Sequence, residues 1–370
     1  MISVRNFTSR DVRQVSRLWL KVFSPARARS EPPGLEQYLE EVFLQNPWRA
    51  NHLSSLVCED REGAIVGFIG VLPRRMRFHG EPLTVAVASQ LMIDPEKPSP
   101  LASVSLLRHF FNGPQDLSFS DGANQRALKM WEAGGGSAAL LYSAEWTRVL
   151  RPAGYAAQLW ERRGASGFLS RAIRPLGRVL DLAASKLSQS PYRVFKPVQT
   201  RVEEGADAGI LLDCIRKFSA RRALQPEYDL NSFRWLLSKA SEQEKHGHLQ
   251  SALVKGAAGE LLGWYVYYVR RGGIAQVLQV GGEPRHIGRV LERLFYCAHQ
   301  KGAVAVSGQL EPAFVHALAG AHCNFAWSSG VIIQSRNQRL LNAIHRGDAF
   351  LSRFEGEWWM RFCDLHPAEA

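Results

Sequence analysis

The sequence predicts a mixed α/β protein with mainly antiparallel sheets, in which one structural unit occurs twice along the chain. The chain has 370 residues, more than a single domain usually contains, so two hydrophobic cores are expected. Segments with alternating apolar residues, typical of strands, are interleaved with segments whose apolar residues recur every three or four positions, typical of helices. The order of these segments in the first half returns in the second half, although the residues themselves barely match.

The first half is predicted to contain a meander of antiparallel strands followed by helices that alternate with strands. The turn-forming triplets Arg61-Glu62-Gly63 and His79-Gly80-Glu81 separate the strands of the meander. In chain order the predicted elements are a strand at 2–7, a helix from 12, a helix at 35–43, strands at 55–58, 65–72 and 84–93, a helix at 101–111, a strand at 117–120, a helix from 124 and a strand at 138–142.

The second half is predicted to repeat this order. Its predicted elements are helices at 210–223 and 232–241, strands at 250–254, 261–269 and 275–280, a helix at 287–300, a strand at 303–307, a helix at 313–319 and a strand at 330–335. We therefore expect an N-terminal domain at 1–155, a basic amphipathic linker at 156–200 and a C-terminal domain at 201–370.

Composition excludes several classes of protein. With 46% hydrophobic and 22% charged residues and no apolar run near twenty residues, neither a disordered chain nor a membrane-spanning one is indicated. The first residues lack the order of a secretory signal, so a cytoplasmic protein is expected, with peripheral contact to a membrane left open. The scattered cysteines (Cys58, Cys214, Cys297, Cys323 and Cys363) contain no Cys-x-x-Cys pair, so neither a disulfide framework nor a metal site is expected.

The positive charge of the chain is concentrated in its middle. The formal net charge is +12, and eleven Lys and Arg residues lie between positions 148 and 201 against only Glu161 and Asp181. This region also contains an apolar stripe from Phe168 to Leu187 at helical spacing. An anionic membrane surface or an acidic carrier protein would suit such a region, and so would packing of the stripe on a neighbouring domain. Specific nucleic-acid binding is not expected, because no recognisable motif accompanies the charge.

One short segment has the spacing of a signature. Asn124, Ala127 and Trp131 are three and seven residues apart, which places them on one face of a helix, and Gly134-Gly135 supplies the usual helix end. This segment resembles the last helix of the catalytic core in the GNAT N-acyltransferase superfamily, which has Asn, then Ala or Ser three residues on, Tyr seven on and Gly eleven on. The resemblance implies two tandem GNAT-like acyltransferase domains, acetyl-CoA or another acyl-CoA as donor, and an amine as acceptor.

The family's pyrophosphate loop is only partly matched in each half. It follows a strand ending in Val-Asp-Pro-Glu with Arg-x-x-Gly-x-Gly. The first half has Asp94-Pro95-Glu96, but Pro98, Leu101 and Ser103 take the arginine and glycine positions. The second half has Glu283-Pro284 and keeps the arginine and the first glycine of the loop. The candidate donor-binding residues are therefore Val280, Arg285, His286, Gly288 and Arg289, with the turn at 94–103 as the alternative and an ordinary helix start as a third explanation.

The resemblance also directs the search for proton-transfer groups. In the family a tyrosine protonates the departing thiolate, but Trp131 occupies its position and an indole N–H has no useful acidity. The candidate catalytic residues are therefore Asn124 itself, with Asp121 and Tyr142 as substitutes for the tyrosine. Gln90 and Gln276 occupy strand positions where a carboxylate often serves as base, and glutamine cannot accept the proton.

The resemblance leaves several functions open. The closing residues 344–359, together with 143–152, resemble GNAT-like proteins of bacterial exopolysaccharide assembly, which implies an amino sugar as acceptor. A catalytically degenerate GNAT fold that acts as a binding or scaffold module is the alternative. A third reading is a transferase whose donor is an acyl carrier protein or an aminoacyl-tRNA, for which the basic middle region would supply complementary charge.

Overall fold

The computed structural model describes residues 2–24, 32–49, 52–163, 181, 190–194, 197, 199–327 and 330–362. The apolar stripe from Phe168 to Leu187 and most of the predicted linker lie outside the described residues, as does Cys363. The other four cysteines are buried and unbonded to one another. None of the described helices combines the length and the apolar character needed to cross a membrane.

The described strands form two sheets. They are β1 (Ser3–Asn6), β2 (Leu56–Glu59), β3 (Ile65–Phe78), β4 (Glu81–Ile93), β5 (Leu117–Ala123), β6 (Ser137–Ala138), β7 (Ala144–Val149), β8 (Thr200–Glu204), β9 (Leu224–Pro226), β10 (His248–Gly256), β11 (Leu261–Val269), β12 (Ile274–Gly282), β13 (Ala305–Gln309), β14 (Asn324–Trp327) and β15 (Gly330–Gln334). The first sheet has the order β1-β2-β3-β4-β5-β15-β6, with β9 added beside β3, and the second has the order β14-β7-β13-β12-β11-β10-β8. Both are mainly antiparallel, as predicted.

The α-helices cover the faces of these sheets. They are α1 (Val12–Phe23), α2 (Leu35–Phe43), α3 (Pro100–Phe111), α4 (Gln125–Ala133), α5 (Leu140–Ser143), α6 (Pro152–Arg162), α7 (Ala208–Ser219), α8 (Leu230–Ser241), α9 (Ile287–Gln300), α10 (Val315–Gly320) and α11 (Gln338–His345). Local signals start several of them. Ser99 accepts the Ala102 N–H at the start of α3, and Pro100 follows as its first residue.

The two halves exchange one strand each. The second sheet repeats the order of the first when β8 and β10–β14 are matched with β1–β6, except for one strand. β7, from the first half of the chain, pairs with β13 and β14 in the second sheet. β15, from the second half, pairs with β5 and β6 in the first sheet. The sheets therefore do not separate at one point along the chain, and the domain boundaries at 155 and 201 stay a prediction.

Each sheet contains one parallel pair of strands that soon separates. β4 pairs with β5 only over Val85–Val87, and β12 pairs with β13 only over Ile274–Val277. β4 and β12 then continue for several residues before the turn that leads into α3 or α9. A gap therefore opens in each sheet beside the end of the longer strand.

The prediction of a strand at 138–142 is wrong. Only Ser137–Ala138 are extended, and Leu140–Ser143 form the short helix α5. The Ser143 hydroxyl donates to the Ala139 carbonyl (3.0 Å) and so supports the helical turn. A short apolar run has no clear period, which is why the sequence does not distinguish the two structures. β7, β8, β9, β14, α6 and α11 were not predicted either.

The largest core cluster contains side chains from both sheets. Phe68 and Leu39 of the first half and Trp264 and Leu211 of the second half belong to it. Two further clusters cover the remaining faces, one with α3 and α4 on the first sheet and one with α9 on the second. The two sheets consequently share the largest core, and each also packs against a separate cluster on its other face.

The residues after α11 connect both sheets, and we call 346–362 the closing segment. Its Phe350 N–H donates to the Leu224 carbonyl and its Phe354 N–H to the Leu278 carbonyl. The buried carboxylate of Glu355 accepts from the Tyr228 hydroxyl, from Gln279 Nε2 (3.0 Å) and from the hydroxyl and N–H of Ser352. The segment is thereby fixed against the second half of the chain.

Removing the Tyr228 hydroxyl should destabilise the protein. In Tyr228→Phe the buried Glu355 carboxylate loses one hydrogen-bond donor, which costs about 1–3 kcal/mol of the free energy of unfolding. Urea unfolding followed by fluorescence measures this, with Tyr155→Phe as the control because Tyr155 is half-buried and its hydroxyl bonds no buried carboxylate within the described residues. Equal stability of Tyr228→Phe and the parent protein would show that the closing segment does not depend on this contact.

Candidate functional site

The gap in the first sheet lies beside an irregular stretch of β4. Gln90 has a φ of +51°, a conformation that residues other than glycine rarely adopt. The register between β3 and β4 shifts at the same place, between Phe68 and Gly70, so β4 carries a bulge after it has left β5. Such strain persists only where the surrounding structure fixes it, and it is common at binding sites.

Two buried oxygen atoms at this bulge have no hydrogen-bond partner within the described part of the chain. They are Ser89 Oγ and Gln90 Oε1, in residues that are 2% and 7% exposed. A buried acceptor without a partner costs free energy, so these atoms are unusual in a folded protein. They mark the bulge as a place that a polar ligand could satisfy.

The bulge is connected to a cleft of about 400 Å³ through Tyr38 on α2. Gln90 Nε2 donates a hydrogen bond to Tyr38 Oη (2.6 Å). Tyr38 lines the cleft, which lies between α2 and the end of α8 and is closed at one side by the closing segment. The cleft is lined by Gly34, Gln37, Tyr38, Glu41, Val42, Lys239, Glu242, Gln243, Glu244, Lys245, Trp359, Met360 and Phe362.

The cleft lining is slightly acidic although the chain is strongly basic. It contains three glutamates and two lysines in a chain of formal charge +12. Lys239 pairs with Glu41 (2.5 Å) and Glu242 (2.8 Å), which joins the two halves across the cleft and lowers the pKa of Glu41. The lining therefore suits a ligand with a positive charge or with several hydrogen-bond donors.

The corresponding gap in the second sheet is bonded to the closing segment. Past its separation from β13, β12 offers the Leu278 carbonyl, which accepts the Phe354 N–H (3.2 Å). The Gln279 side chain accepts from Trp264 Nε1 (3.0 Å) and donates to Glu355. The Leu278 carbonyl and the Gln279 side chain of β12 thus have partners, whereas Ser89 Oγ and Gln90 Oε1 in the matching part of β4 have none among the described residues.

Asp121 lies on β5 and anchors the closing segment. Its Oδ1 accepts the N–H groups of Glu357 (2.7 Å) and Trp358 (3.0 Å). Burial raises the pKa of Asp121 to about 6, and the nearby charge of Glu357 adds to this. A carboxyl group with this pKa can exchange protons near neutral pH. The structure thus places Asp121 beside the gap, and its catalytic role stays a prediction.

The other two predicted catalytic residues have structural partners. Asn124 is exposed and caps α4, because its Oδ1 accepts the Ala127 N–H (2.9 Å). Tyr142 is buried on α5, not on a strand, and its hydroxyl donates to the Ala349 carbonyl (2.6 Å) and accepts the Ala349 N–H (3.1 Å). Burial also raises the pKa of Tyr142 far above its ordinary value. Neither residue lines the cleft.

Trp131 belongs to the core behind the first sheet. Its ring packs edge-on against Phe111, with 4.9 Å between the ring centroids, and lies 5.8 Å from Phe110. The side chain is 3% exposed. Asn124, Ala127 and Trp131 were predicted to share one face of α4. At its Trp131 end, this face packs against Phe110 and Phe111 of α3.

The predicted donor loop of the second half is exposed and internally paired. Arg285 is largely exposed and forms an ion pair with Glu283 (2.6 Å), while His286 lies at the start of α9. A Cβ added at Gly288 would meet no atom within 4 Å, so this side of the helix start is open. Two further predicted residues lie nearby: Arg289 donates to the Gln199 carbonyl (2.8 Å), and Val280 is buried in the core of the second sheet.

The matching loop of the first half is also open at its helix start. Leu101, the second residue of α3, is 69% exposed. The acidic residues before it are held by one lysine, because Lys21 Nζ pairs with Asp94 (3.0 Å) and Glu96 (2.6 Å). Both loops thus present the first turn of a helix to solvent, and their residues stay candidates for binding the donor.

No motif in the sequence indicates Tyr38 or the contacts that the closing segment makes with the two sheets. Tyr38 lies between the buried positions Leu35 and Leu39 of α2 and has no motif around it. Its bond to Gln90 joins residues 52 positions apart, and the contacts of Glu357 with β5 join residues more than 230 positions apart. A search for tyrosines near the turns of an amphipathic helix could have nominated Tyr38, but only together with many others.

The overall arrangement is similar to that of solved N-acyltransferase structures. A "probable N-acyltransferase" from Enterococcus faecalis V583 is 10% identical with a TM-score of 0.59, over 90% of this chain and 72% of that one. A GCN5-related N-acetyltransferase from Anabaena variabilis is 12% identical with a TM-score of 0.56, over 91% and 73%. Saccharomyces cerevisiae N-myristoyltransferase is 10% identical with a TM-score of 0.50, over 90% and 80%.

Neither a known family profile nor a curated protein sequence matches the chain. The structural similarity shows that the chain has the GCN5-related N-acetyltransferase fold, and the predicted fold class is confirmed. At these identities the similarity establishes the fold alone.

The raised pKa of Asp121 should appear in the pH dependence of stability. The folded protein holds this proton up to about pH 6, whereas the unfolded chain releases it near pH 3.8, the ordinary pKa of an aspartate, so Asp121 lowers the stability as pH rises between these values. We expect the free energy of unfolding of the parent protein minus that of Asp121→Asn to fall over this window, by on the order of 3 kcal/mol at most. Urea unfolding at several pH values measures it, and a pH-independent difference would contradict the assignment.

Proposed function

We propose that the protein transfers an acyl group from acyl-CoA to an amine, with the donor bound in the gap between β4 and β5. The fold is shared with solved N-acetyltransferases and with an N-myristoyltransferase that was solved with bound myristoyl-CoA. One observation in this chain favours the first half as the half that binds the donor. The bulge of β4 keeps unpartnered buried oxygen atoms at Ser89 and Gln90, whereas the corresponding strand β12 is bonded to the closing segment.

The donor that we propose is acetyl-CoA. The space behind the bulge is filled by aromatic side chains, because Tyr38 lies 6.0 Å from Phe43 and 5.3 Å from Phe362 between ring centroids. A Cβ at Gly70 would come within 2.4 Å of the Phe43 ring, so the packing there is close. A short acyl group fits this arrangement, and a long chain would have to displace part of the core.

The cleft supports an amine as acceptor. Its lining contains one more glutamate than lysine, which favours a cationic ligand, and Gln37 and Gln243 offer neutral hydrogen-bonding groups beside the aromatic rings of Tyr38 and Phe362. Amide groups and aromatic rings are suited to binding the hydroxyl groups and the apolar face of a sugar ring. An amino sugar, such as those of exopolysaccharide biosynthesis, is the acceptor that we propose.

The chemistry requires the acceptor to be neutral when it reacts. An amine attacks the thioester carbonyl through its lone pair, so the ammonium form must first lose a proton. Among the groups on β5, Asp121 has a pKa of about 6 and is the candidate for this proton transfer. The thiolate that leaves takes up one proton, and no metal is required by this proposal.

A pair of matched substitutions identifies the half that binds the donor. Leu101 and Gly288 are each the second residue of a helix, α3 and α9, and both positions are open to solvent. A glutamate at either position is favourable for its helix, because it lies at the positive end of the helix dipole, but it repels a pyrophosphate. In calorimetric titrations, the Kd for acetyl-CoA should therefore rise at least about tenfold in Leu101→Glu. It should stay unchanged in Gly288→Glu and Arg285→Ala.

If binding is weakened in Gly288→Glu and Arg285→Ala but not in Leu101→Glu, the donor binds in the second half. Arg285 and Gly288 were predicted to bind the donor there. If the parent protein binds neither acetyl-CoA nor a longer acyl-CoA, the proposal of an acyl-CoA donor fails. The degenerate binding or scaffold module then remains, which the burial of Trp131 in the core favours. Titration with an acylated carrier protein and with aminoacyl-tRNA tests the two other donors.

We also propose a cytoplasmic protein whose basic region at 148–201 contacts an anionic surface. Sedimentation with vesicles containing phosphatidylserine should show binding at low salt that falls strongly as ionic strength rises, because exposed charges are screened by salt. Vesicles of phosphatidylcholine are the control. Salt-sensitive binding to an acidic carrier protein without binding to either vesicle would favour the carrier as partner instead.

A further inference from the structure

A second cleft, of about 450 Å³, lies at the C-terminal end of α3, whereas the proposed donor site lies at the start of this helix. The second cleft is bounded by the end of β1, by residues 52–56 and by residues 108–115. Because α3 has twelve residues, its two ends are about 18 Å apart. The second cleft shares no lining residue with the cleft at Tyr38, and we call it the basic cleft.

The titratable side chains that line the basic cleft are His52, Arg108 and His109, and no aspartate or glutamate is among the described residues of its lining. All three residues are exposed, and their side chains form no hydrogen bond or ion pair with another residue in the part of the chain that the structure describes. The dipole of α3 accounts for Arg108 and His109 in its last turn. It does not account for His52, which comes from a different segment. The two segments together therefore offer three side chains that can bind an anion.

Hydrogen bonds fix both walls of the basic cleft. Gln115 Nε2 and the Gly113 N–H both donate to the Phe110 carbonyl at the end of α3, at 2.5 and 3.1 Å. On the other side, the Ser55 hydroxyl accepts the Val71 N–H (2.9 Å). The cleft is thus formed before any ligand binds, and its volume is typical of sites for small molecules, which measure about 300–1,000 Å³.

A phosphate ester has the chemistry that this lining recognises. Its phosphate group carries between one and two negative charges at neutral pH and has three oxygen atoms that accept hydrogen bonds. A guanidinium group can donate two parallel hydrogen bonds to phosphate, and an imidazole donates an N–H whether it is neutral or protonated. A carboxylate has one charge and two oxygen atoms, so it would use fewer of the three side chains.

The rest of the lining suits a molecule with hydroxyl groups. Asn6 and Asn112 are exposed and contribute side-chain amides, each of which can both donate and accept hydrogen bonds. The Asn6 amide forms no hydrogen bond with the other described residues. Amides beside a group of basic side chains match a ligand whose phosphate is attached to a hydroxylated carbon skeleton.

We propose that the basic cleft binds the phosphate ester of a small hydroxylated molecule, such as a sugar phosphate. Arg108, His109 and His52 bind the phosphate, and the amides of Asn6 and Asn112 bind hydroxyl groups. This site is separate from the proposed acyl transfer, because it lies at the other end of α3 from the donor and away from the cleft at Tyr38. Its occupation does not depend on whether the protein is a transferase.

Calorimetric titration at low salt tests the proposal with glucose 6-phosphate, glucose 1-phosphate and glycerol 3-phosphate, and with glucose and inorganic phosphate as controls. We expect at least one ester to bind more tightly than inorganic phosphate, and glucose not to bind. In Arg108→Gln the Kd of that ester should rise about tenfold, because a charge-assisted hydrogen bond is lost. Arg13→Gln is the matched control, since Arg13 is an exposed arginine of α1 that lines neither cleft, and it should leave the Kd unchanged.

Chemical modification of histidines locates the ligand without any substitution. Diethyl pyrocarbonate followed by mass spectrometry should show loss of modification at His52 and His109 when the tightest ester is saturating, because the ligand covers both imidazoles. His316 is the control, since it is exposed and lines neither cleft, and its modification should not change. This measurement also serves if Arg108→Gln does not fold.

Four results would overturn the proposal. It fails if none of the three esters binds more tightly than glucose, and the hydroxylated part of the ligand is wrong if inorganic phosphate binds as tightly as every ester. If an ester binds but protects neither His52 nor His109, the ligand lies elsewhere. If acetyl-CoA displaces the ester and protects both histidines, the basic cleft belongs to the donor site. A parent protein that binds an ester but no acyl-CoA would contradict the acyl-CoA donor and leave this proposal intact.

Discussion

The structure depends on two buried carboxylates in the closing segment. Glu355 accepts hydrogen bonds from Tyr228, Gln279 and Ser352, and Glu357 accepts from Ser120 Oγ (2.6 Å) and Arg361 (2.6 Å). Buried charges are tolerated only when they are paired or fully hydrogen-bonded, so each carboxylate fixes the chain around it. One contacts residues of the second half and the other contacts β5 of the first. The closing segment thus has a single position between the sheets.

The strand exchange explains why this position matters for the site. Because β7 and β15 each complete the sheet of the other half, the two sheets cannot move apart without breaking strand pairs. The closing segment lies between sheets whose relative position is already fixed. It covers β12 beyond its separation from β13 but reaches the first sheet on β5, and Tyr38 connects the buried bulge of β4 to the cleft. Two similar gaps consequently differ in what they can bind.

Local features of the sequence predicted the starts of helices well. Contacts between residues that are distant in the sequence could not be predicted from it. The helices α3 and α4 start where Ser99 and Asn124 provide caps, and these signals lie within three residues of the bonds that they make. The spacing around Asn124 identified the fold, but Trp131 turned out to be a core residue because its neighbours Phe110 and Phe111 come from α3. The strand exchange and the Gln90–Tyr38 bond depend on tertiary structure, and no local pattern encodes them.

Gln90 and Gln276 show why residue identity alone does not define such a site. Both glutamines lie on the strand that leaves a parallel partner, and from sequence they are equivalent. Gln276 Oε1 accepts a hydrogen bond from Arg353 Nη1 (2.8 Å) of the closing segment, whereas Gln90 Oε1 is buried without a described partner. The same side chain is therefore bonded to the closing segment in one half and keeps a buried acceptor without a described partner in the other. The difference comes from the path of residues 346–362, which lie far from both glutamines in the sequence.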